Sequence, residues 1–183
     1  MNTKQAHSEA MKYLQEAIIT QEMGNDVSAS SLFEKAFVLE KEAALYLVND
    51  FENEPTRSVL FRSAANLAMD CHNYKEAQEM VNHGLAGYPP PEIAEELRDI
   101  YEKVNFYRHF ELKGVTLLWI KGTLKVADAE KNSIKIITND NKSYIVTVPQ
   151  GLNDIVRSYW GEAIKVYISK NKRKHSLIEI AKM

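Results

Sequence analysis

The spacing of apolar residues changes once along this chain, near residue 110, from a three-four repeat to strict alternation. A helix face repeats every 3.6 residues and a pleated strand every two, so one kind of element cannot accommodate both patterns. The first part must be helical and the second strand-built, giving an α+β protein with domains at 1–110 and 111–183. Charge changes sign at the same place. Residues 1–111 carry ten Lys/Arg against nineteen Asp/Glu, and residues 112–183 carry thirteen against six. Net charges of −9 and +7 therefore make up the −2 of the whole chain. A near-neutral total conceals two halves suited to different partners.

In the acidic half, Ala6, Ala10, Tyr13, Leu14, Ala17 and Ile18 mark one face of a first helix, which Gly24-Asn25-Asp26 ends. A long second helix carries Phe33, Ala36, Phe37, Glu40, Ala43, Ala44 and Leu47. Pro55 suits the start of a third helix, which runs through Leu60, Ala64, Ala65 and Ala68 to about Cys71. After the His72-Asn73 turn, Ala77, Met80, Val81 and Leu85 line a fourth helix, closed by Gly87-Tyr88-Pro89-Pro90-Pro91. Ile93, Leu97, Ile100 and Val104 define a fifth. Short turns between consecutive helices imply antiparallel hairpins, and stacked hairpins imply a solenoid.

In the basic half, Leu118, Ile120, Leu124 and Val126 alternate with Trp119, Lys121, Thr123 and Lys125, and Gly122 in mid-strand suggests a bulge or sharp bend. Two more strands follow around Ile134–Ile136 and Tyr144–Val148, separated by Asn139-Asp140-Asn141. Leu152, Ile155, Val156 and Tyr159 fit a short helix, and two final strands pass through Ile164–Ile168 and Ile178–Ile180.

These patterns resemble known architectures. Ser58–Pro91 is similar to a tetratricopeptide repeat in length and in Phe61, Ala65, Ala68, Tyr74, Ala77, Gly84 and Pro89, although Ala64, Ala68 and Val81 depart from its usual residues. The segments from Glu54 to Ala68 and from Pro89 to Asp99 look like a group of uncharacterised bacterial proteins built on such repeats. The resemblance implies a groove for a protein or peptide partner, with Arg57, Arg62, Asn66 and Asp70 as its candidates on the third helix. Solvated polar positions on an amphipathic helix would look the same. Three strands, a helix and two strands are the element order of a five-stranded β-barrel of the OB type, with an SH3-like barrel as the alternative.

Trp119, Lys121, Lys125, Lys135, Lys165 and Tyr167 share the outward parity of the strands. Lys172, Arg173 and Lys174 form a basic loop between the last two. Cations beside aromatic rings suit single-stranded nucleic acid, because the cations neutralise phosphates and the rings stack on bases. Two other readings stay open: lysines that protect strand edges and solubilise a hairpin tip, or a basic domain that docks on the acidic domain of its own chain or of a second copy.

No constellation points to a reaction. The lone Cys71 rules out a disulfide within the chain. Cys71, His72 and His83 lack metal-ligand spacing, and Cys71 reads as a small buried apolar residue. Glu40-Glu42 and Glu95-Glu96 read as surface charge. Phosphate loops, nucleophile elbows and dinucleotide fingerprints are absent. No run approaches membrane-spanning length and no leader pattern opens the chain. The expectation is a cytoplasmic, non-catalytic adaptor without cofactor, metal or membrane partner, able to form homo-oligomers, with nucleic-acid binding through the barrel as the alternative.

Overall fold

The structure, a computed structural model, describes residues 2–171 and 174–183. It is α+β and divides into two units, Met1–Arg108 and His109–Met183.

The first unit contains α1 (Thr3–Glu22), α2 (Asp26–Tyr46), a single 3-10 turn (Phe51–Asn53), α3 (Thr56–Asp70), α4 (Tyr74–Leu85) and most of α5 (Pro91–Leu112). Asparagines set three of the starts: Asn2, Asn25 and Asn73 accept backbone N–H bonds from Gln5, Ser28 and Glu76. The helices approach closely because alanine lines their contacts. Ala10, Ala36, Ala44, Ala64, Ala65, Ala68 and Ala77 are all wholly buried. Phe61, Leu67, Met80 and Leu97 fill the space between them. Gly84 belongs to the same packing, since a Cβ there would lie 2.9 Å from a Leu97 methyl.

Two charged residues are buried among these alanines, against expectation. Glu40 is fully enclosed rather than part of a surface pair, and its carboxylate accepts from His7 Nδ1 at 2.8 Å, tying α2 to α1. Arg57, expected on an open groove, is 1% exposed. Its Nε and Nη2 donate to Val48 O at 3.1 and 3.0 Å, and Nη2 donates to His83 O at 2.8 Å. Nη1 lies 3.3 Å from Glu54 Oε1, and the guanidinium sits 4.7 and 5.0 Å from the ring centroids of Phe51 and Phe61. The physical reason is the carbonyl supply. Val48 follows the end of α2 and His83 lies in the last turn of α4, where carbonyls lack helical partners. A guanidinium meets several of them at once and complements the negative end of the helix dipole. Gly87 makes room for it: a Cβ there would stand 2.5 Å from Arg57 Nη1.

The second unit contains β1 (Thr116–Asp128), β2 (Ser133–Ile137), β3 (Ser143–Thr147), α6 (Leu152–Tyr159), β4 (Ala163–Asn171) and β5 (Lys174–Lys182). The five strands form a closed ring of hydrogen bonds in the order β1-β2-β3-β5-β4, with β4 returning to β1. The pairings are antiparallel except β3–β5, which registers Thr147 with Ser176. Ile120, Leu124, Ile134, Ile136, Val146, Val148, Ile164, Val166 and Ile168 fill the interior, and Leu152, Ile155 and Tyr159 of α6 pack against it.

β1 belongs to two ladders. Its first part, Thr116–Thr123, pairs with β4, and its second, from Thr123, pairs with β2. The register shift falls between Leu124 and Val126, around Lys125, rather than at the glycine. Gly122 serves a close approach instead: a Cβ there would lie 2.5 Å from Ile137 O and 2.9 Å from the Ile136 side chain.

Two substitutions test this account. Arg57→Met should cost about 3 kcal/mol, because it strands two buried carbonyls and the Glu54 carboxylate. Chemical denaturation should show the loss, and Arg57→Lys should recover only part of it. Gly122→Ala should cost about 1–3 kcal/mol through overpacking at the strand crossover, read from the melting of the second unit.

Candidate functional site

The outer face of β1 and β4 gathers aromatic and cationic side chains in consecutive cross-strand rows. Trp119 stands opposite Tyr167, and Tyr167 opposite Glu179 of β5. One row further, Lys121 stands opposite Lys165, which is opposite Ala181. The Trp119 and Tyr167 rings stack with centroids 4.4 Å apart and planes inclined by 25°. Lys165 Nζ lies 4.2 Å from the Trp119 centroid. Trp119 is 45% exposed, whereas Tyr167 is 5% exposed although its strand parity points outward. A large ring stacked on a neighbour is covered regardless of which way its Cβ points.

Of the other expected residues, Lys125 is exposed at the register shift, and half-buried Lys135 pairs with Val126 on the β1–β2 side. Both therefore lie apart from the Trp119 rows. Lys174 is exposed opposite Asn171, where the β4–β5 ladder ends, and Lys170 pairs with His175 beside it. Lys172 and Arg173 lie outside the described residues. Two features of this unit escaped the sequence reading. Glu179 places a carboxylate next to Tyr167, and the alternation of the last strand would have revealed it. Trp160 is exposed at the end of α6, where the following Gly161 N–H bonds Leu124 O; an irregular segment offers no parity from which to place it.

On the helical unit the four groove candidates separate. Arg57 is internal, and Arg62 donates to Glu96 at 2.8 Å, tying α3 to α5. Asn66 and Asp70 remain exposed one turn apart on α3. Desolvation by neighbouring protein raises the Asp70 carboxyl above its ordinary value, and the His72 charge pulls it partly back.

Cys71 is half-buried, and its thiol is pushed up to about 11, mainly by burial and further by the Glu34 and Asp70 charges. A thiol so shifted holds little thiolate near neutral pH. Among the described residues no three His, Cys, Asp or Glu side chains come together as metal ligands, and no helix is long and apolar enough to cross a membrane.

No protein-family model matches the chain, and no curated protein matches it.

The Cys71 environment is directly measurable. Alkylation by iodoacetamide at pH 8 should be roughly a hundredfold slower in the native protein than in denaturant, because its thiolate fraction is that much lower. The native rate should climb about tenfold per pH unit towards pH 11, where the thiol titrates. A native rate matching the denatured one would show the thiol to be unshifted.

Proposed function

We propose that this protein binds single-stranded nucleic acid through the outer β1–β4 face of its second unit. The observation that carries this reading is the Trp119–Tyr167 stack with Lys165 and Lys121 in the adjoining row, on a segment of net charge +7. A half-exposed indole backed by a second ring is a rigid platform for a base, and lysines one row away reach the phosphates on either side of it. Such a platform engages only bases with a free π-face, so a single strand is favoured over a duplex. Glu179 at one end of the aromatic row repels phosphate and directs the strand towards Lys121 and Lys165. The strand–helix–strand order and the ring order support an OB-like barrel over the SH3-like alternative, and oligonucleotide binding is a common use of that architecture.

A second reading, that the helical unit captures a protein partner as a tetratricopeptide-like adaptor, is supported by the exposed Asn66–Asp70 pair. Arg57 takes no direct part in it, since its side chain is committed to Val48, Glu54 and His83. The two readings are compatible within one chain.

Fluorescence anisotropy with labelled single-stranded and duplex oligonucleotides tests the principal reading. The full chain should bind single strands more tightly than duplex. Trp119→Ala should weaken single-strand binding about tenfold or more. Lys121→Ala should flatten the logarithmic salt dependence by about 0.7. Absence of binding, or full binding by Trp119→Ala, would overturn it.

A further inference from the structure

Resting on the reading of this face as a single-strand interface, we propose that Lys165 is a displaceable cover on Trp119: an incoming base takes the place of the ammonium on the ring, and the freed ammonium moves to a phosphate of the same strand.

Three observations converge on this exchange. The first is which face of the indole is open. Tyr167 is stacked on the Trp119 ring at 4.4 Å and 25°, which leaves no gap between the two rings for an ammonium. Lys165 Nζ, 4.2 Å from the same centroid, lies over the part of the indole that Tyr167 leaves open. A base can stack only where Lys165 now sits. The second is how weakly Lys165 is held. Among the described residues it makes no ion pair or hydrogen bond, so the ring is its only polar contact. A partly exposed ammonium gains less from a ring than a base does by stacking on it, so the base wins the competition. The third is why the ammonium leans on the ring at all. Its direct cross-strand neighbour is Lys121, and like charges opposite one another on antiparallel strands repel. The indole offers Lys165 a position away from that neighbour. A phosphate arriving with the base removes the repulsion and attracts both lysines, so displacement and phosphate binding reinforce each other.

The consequence is a particular salt dependence. Lys165 both obstructs the base and assists the phosphate. The obstruction depends little on salt, whereas the assistance fades as salt rises. Lys165→Met keeps the side-chain stem and removes the ammonium, so it should lose affinity at low salt and gain it at high salt.

The test uses the full chain carrying Trp160→Phe, so that tryptophan emission reports Trp119 alone. A fluorescein-labelled oligothymidylate serves as the anisotropy probe and the unlabelled strand serves for quenching. Against this parent, Lys165→Met should show a salt slope shallower by about 0.7. Its binding should be weaker at about 0.05 M salt and roughly threefold tighter at about 0.5 M, so that the two lines cross. Lys165→Arg, which covers an aromatic face more firmly, should bind about threefold more weakly at every salt concentration. If Lys165→Met is weaker throughout, the lysine is a plain phosphate contact; if it is unchanged throughout, the lysine takes no part. Either result overturns the exchange and leaves the interface standing. Should Lys165→Met fail to fold by circular dichroism, Lys165→Arg decides alone, and equal or tighter binding overturns the exchange. A parent that neither binds nor is quenched, or a Trp119→Ala variant that binds as well as the parent, overturns the interface and the exchange together.

Discussion

The helical unit is organised around a single guanidinium. Arg57 donates to the carbonyls of Val48 and His83, meets the Glu54 carboxylate and lies against two aromatic rings, while Gly87 leaves room for it. Those partners come from the end of α2, the segment before α3 and the last turn of α4. The packing of three helices therefore converges on one charged side chain. Burying a cation is unfavourable unless every donor is answered, and here the answering groups are helix-end carbonyls that would themselves be unsatisfied without it. Each defect removes the other. The alanine contacts nearby bring the helices close enough for one side chain to reach both carbonyls.

The strand unit solves a different problem, that of giving five short strands no open edge. β1 does most of this by pairing with β4 along its first part and β2 along its second, turning the corner near Gly122 and Lys125. The same crossover shapes the surface. Before the register shift the outward positions are Trp119, Lys121 and Thr123; beyond it Val126 takes over the outward parity. The aromatic rows and the Lys135 side are thus separated by the register shift of β1.

Much of this architecture is legible in the residues. The change of period places helices before strands, and the apolar alternation identifies the interior of the ring, because both signals are local. What escapes is set by partners far along the chain. A polar side chain at Arg57 looks like solvent-facing charge until Val48 and His83 are seen to surround it. Glu40 looks like one of an acidic surface pair until His7 closes over it. Gly122 resembles a bulge because mid-strand glycine usually marks one, whereas here it admits the carbonyl of Ile137. At the candidate site the parity of Trp119, Lys121, Lys165 and Tyr167 can be read directly. That Lys165 lies over the indole follows from cross-strand register, which no single segment encodes.

The double role of β1 also bears on how the chain is made. Synthesis delivers β1, β2 and β3 in order, and each can pair with its predecessor as it emerges. The other edge of β1, from Thr116 to Thr123, has to wait for β4, which begins only at Ala163. Throughout that interval the nascent protein presents an unpaired strand bearing Leu117, Leu118, Trp119 and Ile120, the kind of template on which neighbouring chains add strands of their own. Lys121 interrupts the apolar run on that waiting edge. A charge in that position is the kind of residue that keeps an open apolar strand from pairing with copies of itself.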